Sequence, residues 1–257
     1  MNFVEINVKN RIGFITLNRP EKRNALSAGM VSELKEAFSQ IEREESVKVV
    51  ILGANGSVFS AGADLDYLQQ LQQNTYEENL SDSRLFKELL LKIYLFPKPV
   101  IAQIQGHAIA GGCGLITVCD FTFSVPEAKF GYTEVRIGFI PALVMVFLLR
   151  KIGEARARQL LVSGRLITAD DALSNNLIYK IVDAGHLEEK VKLFARELIE
   201  KNSATSMGIT KKMIAEVQSM RLDEALDYAS EMNAKARATK DCRRGIAAFL
   251  NKEEIVW

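Results

Sequence analysis

The chain has 257 residues, 48% hydrophobic and 25% charged, an ordinary globular balance that excludes extensive disorder. A net charge of +1 gives no electrostatic reason to expect nucleic acid or an anionic membrane as partner. Met1–Arg11 lacks the apolar core of a secretory leader, the apolar stretches are too short or interrupted to span a bilayer, and a soluble, cytoplasmic protein is expected.

Val4, Ile6 and Val8 alternate, as do Ile12, Phe14 and Thr16, so two strands joined at Asn10-Arg11 form a predicted hairpin. Ser27 can cap a helix in which Val31, Leu34, Phe38 and Ile41 recur at helical spacing. Val47–Leu52 reads as a buried strand closed by a turn at Gly53–Gly56. A helix over Glu88–Phe96 is stopped by Pro97 and Pro99 before a strand at Val100–Gln105. A small-residue segment then leads into an apolar helix, Gly111–Cys119, followed by short strands at Phe121–Val125 and Ala128–Phe130.

After Glu134 the pattern is helical almost to the end. Segments are expected near Ala142–Lys151, Glu154–Ser163, Thr168–Ser174, Leu187–Asn202, Ser206–Ser219 and Leu222–Phe249. The fold class is α/β, with a core over residues 1–200 and a helical C-terminal region over 201–257. Three cysteines (Cys113, Cys119, Cys242) make no disulfide framework. With only His107 and His186 available, no metal site has convincing ligand spacing.

Two glycine-rich turns have the composition of a site. Phe59-Ser60-Ala61-Gly62-Ala63-Asp64-Leu65 follows one strand, and Gly106–Leu115 lies between another strand and a helix. Small residues let backbone approach a ligand, and free N–H groups at a helix start favour developing negative charge. Gly106 and Gly111 have P-loop spacing, but Gly112-Cys113 stands where Lys-Ser/Thr is needed. Neither a dinucleotide fingerprint nor a nucleophile elbow is present.

Over essentially its whole length the chain resembles the enoyl-CoA hydratase/isomerase, or crotonase, family. The matching segments are Asn18–Leu26, Ser60–Leu65, Gly106–Asp120, Ala128–Gly131, Glu134–Pro141 and Ala248–Lys252. The resemblance implies a spiral of ββα units, C-terminal helices that support a homotrimer or a dimer of trimers, and an acyl-CoA thioester substrate with no separate cofactor. It implies that the N–H groups of Ala63 and Gly111 hold the thioester oxygen. Lys22, Ala25, Leu26, Ala61, Asp64 and Leu65 fall in segments that contact CoA, and Phe249 and Lys252 match positions that approach its adenine from a neighbouring subunit.

Many hydratases of the family carry two glutamates. Glu134 matches the second, whereas Gly114 stands where the first would be. Gly114 is therefore expected to leave room for substrate or an ordered water, with Glu134 as the principal acid/base group. The finer pattern, Ala110–Leu115 with Glu134–Ala142, resembles a branch acting on branched substrates such as 3-methylglutaconyl-CoA. Hydration is the first expectation. Double-bond isomerisation by Glu134 alone is the second, and a non-catalytic acyl-CoA-binding scaffold the third. Asp64 and Asp120 also suit loop or helix-end roles, His107 a structural one, and Asp66–Ser83 reads as a polar, lid-like segment.

Overall fold

In the computed structural model, which describes residues 1–257 apart from the side chain of Leu65, the expected hairpin opens the chain. Strands β1 (Val4–Lys9) and β2 (Ile12–Leu17) are antiparallel, and the turn residues Asn10 and Arg11 have φ of 54° and 65°. Two successive positive φ values match the right-handed twist of the strands they join. The Ser27 side chain accepts the Met30 N–H and caps α1 (Ala28–Arg43), whose Met30, Leu34, Phe38 and Ile41 are buried. The chain then returns parallel to β2 as β3 (Val49–Ala54).

Helices α2 (Leu65–Leu71) and α3 (Tyr76–Tyr94) lead to β4 (Val100–Ile104), then β5 (Ala108–Ile109), α4 (Gly111–Thr117), β6 (Phe121–Ser124) and β7 (Phe130–Gly131). A 3₁₀ turn at Glu134–Ile137 precedes α5 (Ala142–Ile152), α6 (Glu154–Ser163), α7 (Ala169–Ser174) and β8 (Lys180–Ile181). The last helices are α8 (Leu187–Lys201), α9 (Ala204–Val217), α10 (Leu222–Arg237) and α11 (Lys240–Asn251).

The main sheet has six strands in the order β1-β2-β3-β4-β6-β8, parallel except for the opening hairpin. Its faces are covered from both sides. Gly13 faces Ile41 of α1, and the ring of its neighbour Phe14 lies 5.8 Å beneath Lys192 Nζ of α8. Adjacent strand residues point to opposite faces, so the two helices sandwich the sheet. This explains why β3 and β4 are almost continuously apolar and buried.

A second, smaller ladder positions the site. Short extended segments pair side by side: Leu26 with Ala63, Ser60 with Ala108, β5 with β7, and Phe130 with Ile167. The segments at Leu26, Ser60–Ala63, β5 and β7 each follow a strand of the main sheet (β2, β3, β4 and β6), whereas Ile167 follows α6.

Four sequence expectations need correction. The helix expected over Glu88–Phe96 begins at Tyr76, because Thr75 and Glu78 form a reciprocal capping box; its first half is too polar to show an apolar period. The lid-like segment Asp66–Ser83 is accordingly mostly helical, in α2 and the start of α3, and the Tyr67 hydroxyl donates to Asp82 across the two. The single helix expected over Leu222–Phe249 is two, because the Thr239 hydroxyl accepts the Cys242 N–H at 3.2 Å and donates to Ala236 C=O at 2.7 Å. The two-residue strand β8, too short for a sequence period, interrupts the helical C-terminal half by pairing with β6.

The C-terminal helices are tied to the sheet by polar contacts. Lys211 Nζ of α9 lies 2.6 Å from Asp120, which also accepts the Val100 N–H at 2.7 Å. At the end of the chain, Arg11 donates to the Trp257 C=O at 2.8 Å. Among the described residues, no helix is long and apolar enough to cross a membrane.

Candidate active site

The two glycine-rich turns lie against each other, and a buried asparagine holds the first in shape. Asn24, fully buried with φ of 50°, accepts the Arg19 N–H at 2.8 Å and donates to the carbonyls of Asn55 and Val58 at 2.8 and 2.9 Å. Asparagine tolerates this left-handed backbone better than most residues. The following residues clasp the turn: Leu26 N–H donates to Gly62 C=O at 2.6 Å, and Asp64 N–H donates to Leu26 C=O at 3.0 Å. From the other side, Ser60 N–H donates to His107 C=O and Ile109 N–H to Ser60 C=O, at 3.2 and 3.0 Å.

Glycine is required where these backbones touch. A Cβ built on Gly62, whose φ is 91°, would lie 2.8 Å from the Ala110 Cβ and 3.6 Å from the Gly111 nitrogen. One on Gly112 would lie 2.6 Å from the Ser60 Cβ. The close approach brings Ala63 beside Gly111. Among the described residues, neither N–H has a hydrogen-bond partner; that of Gly111 is an orphan because it begins α4. A pair of adjacent, unpartnered donors suits an oxygen that gains negative charge.

Glu134 opens the 3₁₀ turn just beyond β7, and β7 is held to the second glycine turn by the Ala110 N–H to Gly131 C=O bond of 2.7 Å. The carboxyl is half-buried; its Oε2 is fully buried and lacks a partner among the described residues. Among the described residues, the Glu134 carboxylate makes no ion pair with Arg136 or Lys129, and Arg136 is exposed. Desolvation raises the Glu134 pKa above the ordinary carboxylate value, against a smaller opposing effect from its own backbone N–H. Its charge reaches the first turn of α4. Burial chiefly, with a smaller contribution from Glu134, pushes the Cys113 thiol up to about 12. At the other end of α4, the half-buried Lys151 ammonium donates to the carbonyls of Thr117 and Cys119 at 3.2 and 2.8 Å.

A family model described as enoyl-CoA hydratase/isomerase matches residues 7–257. The chain belongs to this family. It is 39% identical over 244 residues to a Thermus thermophilus protein provisionally named an enoyl-CoA hydratase, covering 95% of this chain and 96% of that one. A short-chain-enoyl-CoA hydratase of Clostridium acetobutylicum is 30% identical over 257 residues, covering 99% and 97%. The crystal structure of an enoyl-CoA hydratase from Shewanella pealeana superimposes with a TM-score of 0.94 at 29% identity, covering 99% of this chain and 96% of that one. The crotonase-like α/β fold with its helical C-terminal region follows from these matches.

Within the family framework, one expectation fails at Gly114. The space where a side chain would begin is filled: a Cβ built there would overlap Val144 Cγ1 of α5 and lie 3.4 Å from the Val144 Cβ. Gly114 therefore leaves no room there for substrate or water; it makes room for Val144. The Phe86 ring of α3 adds a second apolar wall, 3.6 Å from a Cβ built on Gly111 and 3.9 Å from one on Gly114. Helical spacing marks both partners as apolar without saying what they face.

Asp64 is engaged by the chain's own groups. Its carboxylate caps α2 by accepting the Asp66 and Tyr67 N–H groups, and it pairs with Arg19 at 2.5 Å, which matches its helix-end reading. Ala61 likewise uses its N–H on Arg23 C=O at 3.0 Å. Ala25 and Leu26 are buried, with Leu26 Cδ1 3.0 Å from a Cβ built on Gly111. Lys22 pairs with Asp66 at 2.8 Å with its side chain half exposed. The side chain of Leu65 lies outside the described residues. His107 accepts the Lys129 N–H at Nδ1, 3.1 Å away, a structural role. Phe249, 83% exposed, does not serve the core, and Lys252 ends α11 in a left-handed conformation.

Proposed function

We propose that this chain adds water across the double bond of a 2-enoyl-CoA, with a short branched acyl group such as 3-methylglutaconyl as the preferred substrate. The carrying observation is the pair of unpartnered amides at Ala63 and Gly111 together with the unpartnered, desolvated carboxyl of Glu134. The thioester oxygen accepts from both amides, which draws electron density from C3. The Glu134 carboxylate takes a proton from water as that oxygen attacks C3, and the negative charge moves onto the thioester oxygen as an enolate. The carboxyl then gives the proton to C2, the enolate collapses, and Glu134 is again ionised. Each amide is worth about 3–4 kcal/mol at the enolate stage. A carboxyl whose pKa is raised by burial is better matched to both halves of this transfer than an ordinary one.

The remaining assignments follow the same reading. Lys22, Ala25, Leu26 and Ala61 line the CoA entry, and Phe249 and Lys252 meet the adenine of a neighbouring subunit in a trimer or a dimer of trimers. The hydratase names of relatives at 30–39% identity support hydration. The resemblance of Ala110–Leu115 and Glu134–Ala142 to the methylglutaconyl branch supports the acyl group.

A second reading rests on Val144. Because it fills the space above Gly114, the site holds one carboxyl, and isomerisation of a 3-enoyl-CoA requires only one: Glu134 removes a C2 proton and returns it to C4. A product-resolved assay on crotonyl-CoA, 3-methylglutaconyl-CoA and a 3-enoyl-CoA separates the two. Formation of 3-hydroxyacyl-CoA supports hydration, and conversion of the 3-enoyl to the 2-enoyl thioester without a hydroxylated product supports isomerisation. Tight binding without turnover on any of them would leave only the scaffold reading.

A further inference from the structure

We infer that the methyl group of Ala110 is a spacer that sets the separation of the two amide donors, making Ala110 a positioning residue. Ala110 has φ of 49° and ψ of −123°. This is the first corner of a type II′ turn, a conformation that glycine occupies freely and an L side chain resists. Glycine would therefore be the unstrained choice. A side chain kept in such a conformation persists only where its surroundings over-determine it, and these positions cluster at functional sites.

The surroundings are on both sides of the residue. Its N–H donates to Gly131 C=O at 2.7 Å, its C=O accepts the Gly114 N–H at 2.9 Å, and the preceding N–H of Ile109 donates to Ser60 C=O at 3.0 Å. The ψ angle of residue 110 sets the direction of the next peptide N–H, which is the Gly111 donor. The methyl itself packs on Gly62, where an added Cβ would lie only 2.8 Å from it. Gly62 directly precedes the other donor, Ala63. The methyl is thus a side-chain atom of the second turn wedged against the backbone of the first. Removing it lets the turns close or slide by a few tenths of an ångström, and misplacing reacting groups by about 1 Å costs on the order of 100-fold in rate.

The inference rests on the amide pair holding the thioester oxygen, and its test is arranged to separate the two. In Ala110→Gly the Tm should stay at or above wild type, since strain is relieved, while kcat falls by about tenfold and KM moves less than about threefold. Ala110→Ser keeps the Cβ and should retain most of kcat. Unchanged kcat in Ala110→Gly, or kcat and Tm falling together, would overturn the spacer role. If the wild-type chain turns over no 2- or 3-enoyl-CoA, the functional reading fails independently. The spacer is then read from the ultraviolet difference spectrum of bound acetoacetyl-CoA, whose enolate requires only the amide pair. A weaker enolate band in Ala110→Gly than in wild type supports the spacer, and an equal band, or none in either protein, refutes it.

Discussion

Replacing Gly114 by alanine tests whether the missing acid is a matter of packing. The new methyl would overlap Cγ1 of Val144, which is 3% exposed and β-branched, so its χ1 is restricted. Overpacking of this kind costs about 1–3 kcal/mol, against roughly 1 kcal/mol gained by removing a glycine from inside a helix. The net expectation is about 1 kcal/mol of destabilisation. Val144→Ala alone removes two buried methyl groups and leaves a cavity, costing about 2 kcal/mol. In the double variant the alanine methyl at 114 occupies part of the space that Val144 vacates. Its total loss should be about 1 kcal/mol, against the roughly 3 kcal/mol that the single variants sum to. Urea denaturation of the four proteins, followed by circular dichroism, measures this coupling of about 2 kcal/mol. Additivity within about 0.5 kcal/mol would refute the packing argument. A Gly114→Glu/Val144→Ala variant carries the same reasoning to activity, because Val144→Ala removes the Cγ1 that meets the first carbon of a side chain at 114. Its ratio of hydration to isomerisation should rise above wild type.

Glu134→Gln should reduce kcat by about 10²–10⁴-fold with no loss of Tm at neutral pH, since it removes a desolvated carboxylate. The folded-state pKa is raised, so the wild-type carboxyl favours folding fully below its ordinary value of 4.5 and loses that contribution as pH rises through the higher folded value. The Tm advantage of the glutamine variant should therefore appear above pH 4.5 and then level off; an advantage largest in acid would contradict this sign. Asp64→Ala removes the cap of α2 and the ion pair with Arg19, and should cost at least about 1 kcal/mol in chemical denaturation. Asp64→Asn, which can keep the cap, should cost less. Phe249→Ala should leave the unfolding midpoint of the dissociated chain unchanged, because the ring is exposed, while raising KM for the CoA thioester. An unchanged KM at saturating oligomer concentration would remove Phe249 from the binding site.

Much of the local architecture is legible in the chain because local rules create it. The hairpin at Asn10-Arg11, the Ser27 cap and the apolar run of β3 depend on residues within a few positions of one another. The Thr75-Glu78 box is equally local and could have been read, but the polar sequence after it hid the helix. The two glycine turns and Glu134 stand out by composition and by family resemblance. Their mutual arrangement does not, since Leu26 pairs with Ala63 and Ser60 with Ala108 across dozens of residues.

The sequence by itself determined that this protein has two small-residue turns able to expose amides, and one glutamate rather than two at the positions the family resemblance marks. Only the tertiary structure decided what the absent side chain means. Residue 114 lies on α4 and residue 144 on α5, and no periodicity reports that the valine of one fills the space above the glycine of the other. The same holds for Ala110, which looks in sequence like any small residue. Its backbone angles and its contact with Gly62 exist only once two distant turns are pressed together, because close packing, unlike helix or strand propensity, is a property of pairs that the chain does not place side by side.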